Sequence, residues 1–178
     1  MITLRERIRP TDLVLAALLS AVGVLLMVVD MQGQSGDTRI DSTSWTLIPV
    51  FLLATLPVAF RRVNLLAVIV VSAAALAVHD VAFDWVVRCG AGLPLAGALA
   101  YSAGRLLADR RTSLVALALT IGVQALVLVR DSAAGIGILP VTAAIGIALW
   151  GTGWFVRTRW GTRSDAAAPA PSRVPEAV

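Results

Sequence analysis

Long apolar runs alternate with short polar breaks along most of the chain. The clearest case is residues 45–60 and 63–78, two runs without a charged residue that are separated by Arg61 and Arg62. A helix that is apolar on every face is typical of a membrane span, not of a half-buried helix in a water-soluble domain. Two adjacent arginines are too costly to place in lipid, so they indicate a turn at the membrane surface.

This pattern predicts an all-α, polytopic membrane protein, a bundle of six transmembrane helices with short connections. The predicted spans are residues 13–29, 45–60, 63–78, 89–107, 113–129 and 135–156. The first run would form a helix of about 26 Å, close to the hydrocarbon core of about 30 Å. A signal peptide is the alternative for that run, but the run is longer than a usual signal segment and no small-residue cleavage site follows it.

The predicted domain organisation has three parts. Residues 1–12 are expected to form a cytoplasmic N-terminal segment and residues 13–160 the six-helix transmembrane domain. Pro57, inside the second span, predicts a bend one turn before the arginine pair. Residues 161–178 contain mostly alanine, proline and serine without apolar periodicity, so they are predicted to be a disordered cytoplasmic tail.

Composition agrees with a membrane protein, since 58% of the 178 residues are hydrophobic and 15% are charged. Soluble domains carry about 25% charged residues. The net charge of +4 could suggest a nucleic-acid partner. The basic residues, all arginines, lie in the gaps between apolar runs and not on one amphipathic face, so the lipid bilayer is the expected partner instead.

Arginine is distributed unequally between the two sides of the predicted bundle. Six spans place both termini on one side, which would hold twelve arginines against three (Arg39, Arg88 and Arg130) on the other. Basic residues are retained in the cytoplasm, which predicts a multi-pass protein of the cell membrane with both termini cytoplasmic. The twelve are Arg5, Arg7, Arg9, Arg61, Arg62, Arg105, Arg110, Arg111, Arg157, Arg159, Arg163 and Arg173. Among them, Arg61, Arg62, Arg110 and Arg111 are expected to set the topology, or also to contact anionic lipid headgroups.

Candidate chemistry is limited by one cysteine, Cys89, and one histidine, His79. A zinc site, a Ser-His-Asp triad or a phosphoacceptor histidine would each have to use His79, so we expect no enzymatic activity, no cofactor and no metal site. His79 lies near Asp80 and Asp84 at the outer end of the third span, where a histidine could titrate between about pH 5 and 8 and sense external pH. A solvated loop is the alternative for these three residues.

Two further features lie within the predicted spans. Gln124 and Thr120 are polar residues of the fifth span, and Gln124 is expected to hydrogen-bond across helices or to line a path. Ala96, Ala100 and Gly104 recur every four residues along the fourth span, a spacing that predicts a groove for a neighbouring helix. Chance spacing in an alanine-rich segment is the alternative explanation of this groove.

Three short segments resemble the N-terminal membrane domain of actinobacterial two-component sensor histidine kinases, over about residues 10–160. The first is residues 53–68, LATLPVAFRRVNLLAV. The others are Ala100-Tyr101 followed by Arg105, Arg110 and Arg111, and Trp150-Gly151 through Arg157-Thr158-Arg159. Asn64-Leu65 departs from that family, which often has proline shortly after the arginine pair.

The resemblance implies a sensor-type membrane module without the kinase domain, which this chain has no room to contain. The expected function is therefore a non-catalytic sensory or regulatory module that acts through helix–helix contacts. Its expected protein partner is a second copy of the chain or a separate kinase. The alternative is a small transporter, permease subunit or channel-like protein, which would need a continuous polar cavity around Gln124, Thr120 and Thr55.

Overall fold

The computed structural model describes residues 8–32 and 44–166, with the backbone alone for Asp30 and residues 160–166. Six α-helices make up most of this part, and the described ranges contain no strand beyond an isolated bridge between Val86 and Asp131. The prediction of an all-α protein is therefore confirmed. The helices are α1 (Pro10–Met31), α2 (Leu47–Thr55), α3 (Leu65–Phe83), α4 (Cys89–Leu106), α5 (Arg110–Val129) and α6 (Leu139–Ala166), with short 3-10 helices at Leu56–Phe60 and Ile136–Ile138.

Four of the predicted spans are helices long and apolar enough to cross a membrane. They are Pro10–Val29, Leu65–Phe83, Arg110–Val129 and Ile136–Arg159. Within their most apolar windows, 28%, 39%, 44% and 17% of the residues are buried, so most of each helix faces outward. Large apolar side chains such as Val81 and Leu25 are 81% and 63% exposed. An apolar surface of this extent is typical of a protein that contacts lipid.

The second predicted span is shorter than the others and changes its helix type. The α-helix α2 ends at Thr55, and residues Leu56–Phe60 continue as a 3-10 helix. Pro57 has no amide hydrogen to donate, and its ring clashes with the preceding turn of an α-helix. At the place of the predicted bend, the structure shows a change from α-helical to 3-10 geometry.

The fourth predicted span, α4, is rich in glycine and alanine and lies in the middle of the bundle. It packs against α1, α3, α5 and α6, and most extensively against α6. In this position, neighbouring helices cover most of the faces of α4. Small side chains are what allow four neighbours to approach one helix closely.

The residues of the predicted packing groove lie at these contacts. Ala96 and Ala100 are fully buried. At Gly104 an added Cβ would overlap the backbone carbonyl oxygen of Trp150, and at Gly153 it would overlap that of Tyr101. The backbones of α4 and α6 therefore meet directly at two glycines, one on each helix.

Hydroxyl groups connect neighbouring helices inside the bundle. Ser20 on α1 and Thr55 on α2 share a hydrogen bond of 2.8 Å between their hydroxyl oxygens. Ser72 on α3 donates to a backbone carbonyl of α2 at 2.7 Å. The indole N–H of Trp150 on α6 donates to Ser113 on α5 at 2.8 Å. Interhelical hydrogen bonds of this kind contribute to helix association where water is excluded.

Two helix starts follow directly from local sequence. The side chain of Asn64 accepts from the amide of Ala67 at 3.1 Å and caps α3. Asp109 caps α5, accepting from the amide and the hydroxyl of Thr112 at 2.8 and 2.7 Å. These hydrogen bonds to the Thr112 side chain and backbone lower the pKa of the Asp109 carboxyl group. Both caps satisfy amide groups that the first helical turn leaves unpaired.

Several predicted boundaries differ from the observed ones. Helix α3 continues to Phe83, beyond the predicted end at residue 78, and α1 begins at Pro10. The backbone of residues 161–166 continues α6, so the predicted tail begins with helix. Residues 1–7, 33–43 and 167–178, which include Arg5, Arg7, Arg39 and Arg173, lie outside the described residues.

Replacing Gly104 with alanine should destabilise the bundle, because the new methyl group would displace the α6 backbone. Overpacking of this kind costs about 1–3 kcal/mol. The matched control is Gly151→Ala on α6, where an added Cβ has no atom within 4 Å. The free energy of unfolding, measured in mixed micelles at increasing detergent denaturant, should fall for Gly104→Ala alone. Equal values for both variants would contradict the observed α4–α6 contact.

Candidate functional site

His79 and Asp80 lie near the C-terminal end of α3, and both are buried. The rings of Phe51 and Phe83 flank the imidazole, with centroids 6.0 and 4.9 Å from its own. A solvated loop is therefore wrong for these two residues. It describes only Asp84, whose side chain is 53% exposed. The physical reason is that α3 continues past residue 78 and carries both side chains into the bundle.

Arg88, in the short connection between α3 and α4, is the centre of the polar contacts at this end. It is the largest fully buried side chain among the described residues. Its Nε donates to His79 Nδ1 at 3.0 Å and lies 3.1 Å from Asp80 Oδ1. Its two terminal nitrogens donate to the backbone carbonyls of Arg130 and Asp84 at 2.8 and 2.5 Å. Burial lowers the pKa of Arg88, but guanidinium groups remain protonated in proteins.

Asp131 attaches the connection after α5 to the start of α4. Its Oδ2 accepts from the backbone amides of Arg88 and Cys89, each at 2.6 Å. Its Oδ1 accepts from the amides of Ala133 and Ala134 at 3.0 and 2.8 Å. A carboxylate at a helix N-terminus satisfies unpaired amides and lies at the positive end of the helix dipole. Asp131 therefore caps a helix that is far from it in sequence.

Arg130 completes what we call the Arg88 cluster, which consists of His79, Asp80, Asp84, Arg88, Arg130 and Asp131. Arg130 Nη1 donates to the backbone carbonyl of Asp80 at 3.1 Å and lies 3.3 Å from Asp84 Oδ1. The cluster contains three carboxylates and two guanidinium groups, so it has no excess of positive charge, and it joins the ends of α3, α4 and α5. His79 Nε2 and both carboxylate oxygens of Asp80 are buried without a hydrogen-bond partner in the described structure. The Asp80–Arg88 pair is thus an ion pair that lacks hydrogen-bond geometry.

The chemistry available to the Arg88 cluster depends on which of its polar atoms are already engaged in hydrogen bonds. Arg88 Nε donates to His79 Nδ1, which assigns the neutral imidazole with its proton on Nε2. In residues 8–32 and 44–166, no three histidine, cysteine or acidic side chains come together to hold a metal ion. The guanidinium and the Asp131 carboxylate bond mainly to backbone groups of neighbouring helix ends, an arrangement that fixes those ends relative to one another.

A second set of charges lies at the opposite end of α3. Asp12, in the first turn of α1, is fully buried. Its Oδ1 accepts from Arg61 Nε at 2.8 Å and its Oδ2 from Arg62 Nε at 2.7 Å. Arg61 also donates to the hydroxyl of Ser102 on α4 at 3.1 Å. The arginine pair, predicted as a topogenic and headgroup-binding turn, thus also connects α1 and α4, whereas Arg110 and Arg111 are exposed.

An apolar groove of about 720 Å³ lies between α1, α4 and α6. We call it the α1–α4–α6 groove. Its walls are mainly apolar, and Arg61 and Tyr101 lie at one end. Its other residues are Thr11, Val14, Leu15, Leu18, Leu93, Pro94, Gly97, Ala98, Gln124, Thr142, Ile145, Gly146 and Leu149.

The three residues of the predicted polar path do not form one cavity. Gln124 lines the groove, is 3% exposed, and leaves its Oε1 without a hydrogen-bond partner among the described residues. Thr120 donates to the carbonyl of Ala116 on its own helix at 2.6 Å. Thr55 pairs with Ser20 between α1 and α2. Gln124 is therefore the one of the three that faces the groove.

Sequence reasoning identified His79 and Asp80 but did not assign site roles to Asp12, Arg88 or Asp131. A signal was available, since opposite charges lay on the same predicted side of the membrane in short connections. Arg88 and Asp131 are 43 residues apart, and Asp12 and Arg62 are 50 apart. Periodicity cannot select one pair from several such charges, because pairing depends on which helices are neighbours.

Replacing Arg88 with glutamine should be strongly destabilising, because it leaves Asp80 buried without its counter-ion. Breaking a buried ion pair from one side costs about 3–5 kcal/mol. Arg130→Gln is the matched control, since its pair with Asp84 is 44% and 53% exposed, and exposed pairs contribute about 0–1 kcal/mol. The effects of both substitutions are measured as changes in the free energy of unfolding in mixed micelles. A loss for Arg88→Gln no larger than that for Arg130→Gln would show that the cluster does not hold the helix ends.

Comparison of the chain with protein-family models, with curated proteins and with solved structures finds no match. The resemblance to sensor-kinase membrane domains therefore stays a prediction.

Proposed function

We propose that this chain is a non-catalytic sensory or regulatory module of the cell membrane, built from six membrane-crossing helices. Four helices are long and apolar enough to cross a membrane. α4 packs against each of those four, so it lies at the same depth in the bilayer. α2 and the following 3-10 helix, Leu47–Phe60, are apolar and pack against α1 and α3, which supports a short sixth crossing.

Charge supports a cytoplasmic location for both termini. With six crossings, the side that holds the termini, the Arg61-Arg62 turn and the α4–α5 connection would carry twelve arginines of the sequence against three on the other side. Arg61 and Arg62 surround Asp12 at that end, while Arg88 and Arg130 lie at the opposite end of α3. Retention of basic residues in the cytoplasm favours this orientation over its reverse.

The observation that carries the regulatory proposal is the buried Arg88 cluster. It connects the ends of three helices at the side that would face outward, and its buried Arg88–Asp80 pair has no solvent to replace a lost partner. Buried charge pairs add little net stability compared with apolar packing, but they are sensitive to any change in one partner. A ligand or partner that competes for one of these groups would shift the helix ends together. Interior interfaces respond in discrete steps of this kind.

The resemblance to sensor-kinase membrane domains supports the same function, with a second copy or a separate kinase as the partner. The apolar character of the groove disfavours the alternative of a transporter for polar solutes, because Gln124, Thr120 and Thr55 do not line a common path. A channel-like or permease function has no comparable support in the geometry.

Reporter fusions along the chain test the first four crossings and their orientation. Alkaline phosphatase fused after Ser44 or Val87 should be active, whereas fusions after Arg62 or Ala108 should be inactive. A fluorescent protein, which matures in the cytoplasm, should give the opposite pattern at the same four sites. If α2 does not cross the membrane, the two fusions that flank it will report the same side. These are the fusions after Ser44 and Arg62. Val87 and Ala108 test α4 in the same way.

Crosslinking in native membranes tests the regulatory function. We expect the full chain to crosslink to a second copy or to a kinase, and Arg88→Gln to change those crosslinks through the shifted ends of α3, α4 and α5. Arg130→Gln, matched in charge and location, should leave them as in the original chain. A protein that remains a lone monomer, or crosslinks that are identical in both variants, would contradict the proposal.

A further inference from the structure

The α1–α4–α6 groove exists because small residues occupy the positions where three helices diverge. Gly97 and Ala98 on α4 and Gly146 on α6 contribute little or no side chain to its walls. From Leu93 to Tyr101 the groove follows about 12 Å of α4. Its volume of about 720 Å³ lies in the range of about 300–1,000 Å³ that is typical of small-ligand sites. Val14 and Leu18 on its rim are more than half exposed, so the groove is open toward surrounding lipid.

A second cavity of about 310 Å³ lies next to the groove. Thr11, Arg61 and Tyr101 line both cavities. The other residues of this second cavity, which we call the basic pocket, are Arg9, Arg62, Ser102, Arg105 and Leu106. The apolar groove is therefore adjacent to a pocket lined by four arginines, at the end of the bundle where a membrane surface would lie.

The basic pocket has an excess of positive charge that the Arg88 cluster lacks. Among the described residues, Asp12 is the acidic group that pairs with its arginines, and Arg61 and Arg62 share it. Arg105 donates to the phenol oxygen of Tyr101 at 3.0 Å, a contact that leaves its positive charge unbalanced. Guanidinium groups bind phosphate through paired hydrogen bonds, and basic pockets between membrane helices favour anionic headgroups.

We propose that the groove and the basic pocket together bind one anionic phospholipid. An acyl chain would lie between Leu93, Ile145 and Leu149, and the phosphate would contact Arg105 and the outward side of Arg61. The apolar walls match the chain, and the unbalanced arginines match the charge of the headgroup. This inference rests on the membrane embedding of the proposed function but on neither its orientation nor its regulatory role.

Native mass spectrometry of the full chain in detergent can test this site directly. The probes are phosphatidylglycerol and phosphatidylcholine with identical acyl chains, titrated separately. One phosphatidylglycerol should bind at lower lipid concentration than phosphatidylcholine. Arg105→Gln should reduce that preference by about fivefold, as expected for the loss of one arginine near a headgroup. Arg111→Gln is the matched control, because Arg111 is an exposed arginine at the same end that does not line the pocket.

Filling the groove tests the acyl-chain half of the proposal. Ala98→Leu should weaken binding of both phospholipids without changing the preference between them. Val14→Phe should likewise weaken binding of both phospholipids, from the rim of the groove. The Val14 side chain is 57% exposed, so a larger residue there does not disturb folding. Elution on size exclusion verifies that each variant is folded.

Three results would overturn the proposal. They are equal binding of the two lipids by the original chain, equal effects of Arg105→Gln and Arg111→Gln, and unchanged binding in both groove-filling variants. Because the binding assay is done in detergent with purified protein, its failure is distinct from a failed topology or crosslinking test.

Discussion

The contact between α4 and its neighbours is the constraint on which the rest of the bundle depends. α4 touches α1, α3, α5 and α6, and its backbone meets that of α6 at Gly104 and Gly153. Lipid provides no hydrophobic driving force between helices, so close packing and interhelical hydrogen bonds must hold them together. Other small residues of the same two helices, Gly97, Ala98 and Gly146, line the α1–α4–α6 groove.

Charge is confined to the two ends of the bundle, and the two ends use it differently. Around Arg88, three carboxylates accompany two guanidinium groups, so no positive charge is in excess, and most of the hydrogen bonds go to helix ends. Around Asp12, a single buried carboxylate holds Arg61 and Arg62, and arginine remains in excess. A cluster without excess positive charge fixes the relative position of helices, whereas one with excess arginine retains attraction for an external anion. The regulatory and lipid-binding proposals follow from this difference.

The sequence predicted part of the candidate site. His79 and Asp80 were identified as a pair because they are adjacent and are the polar end of an apolar run. Their burial was not predicted, because it depends on α3 continuing to Phe83 and on the rings of Phe51 and Phe83. The sequence placed Gln124 within an apolar run. It could not show whether the side chain faces a cavity or a neighbouring helix.

By itself, the sequence determined the features that arise from neighbouring residues. These include the apolar helices, the caps at Asn64 and Asp109, the change of geometry at Pro57 and the small-residue spacing of α4. Only the tertiary structure decided that Arg88 meets Asp131, that Asp12 meets Arg61, and that the groove and the basic pocket are adjacent. The reason is that helix formation depends on contacts within a few turns. The pairing of buried charges depends instead on which helices lie side by side, and many arrangements share the same periodicity.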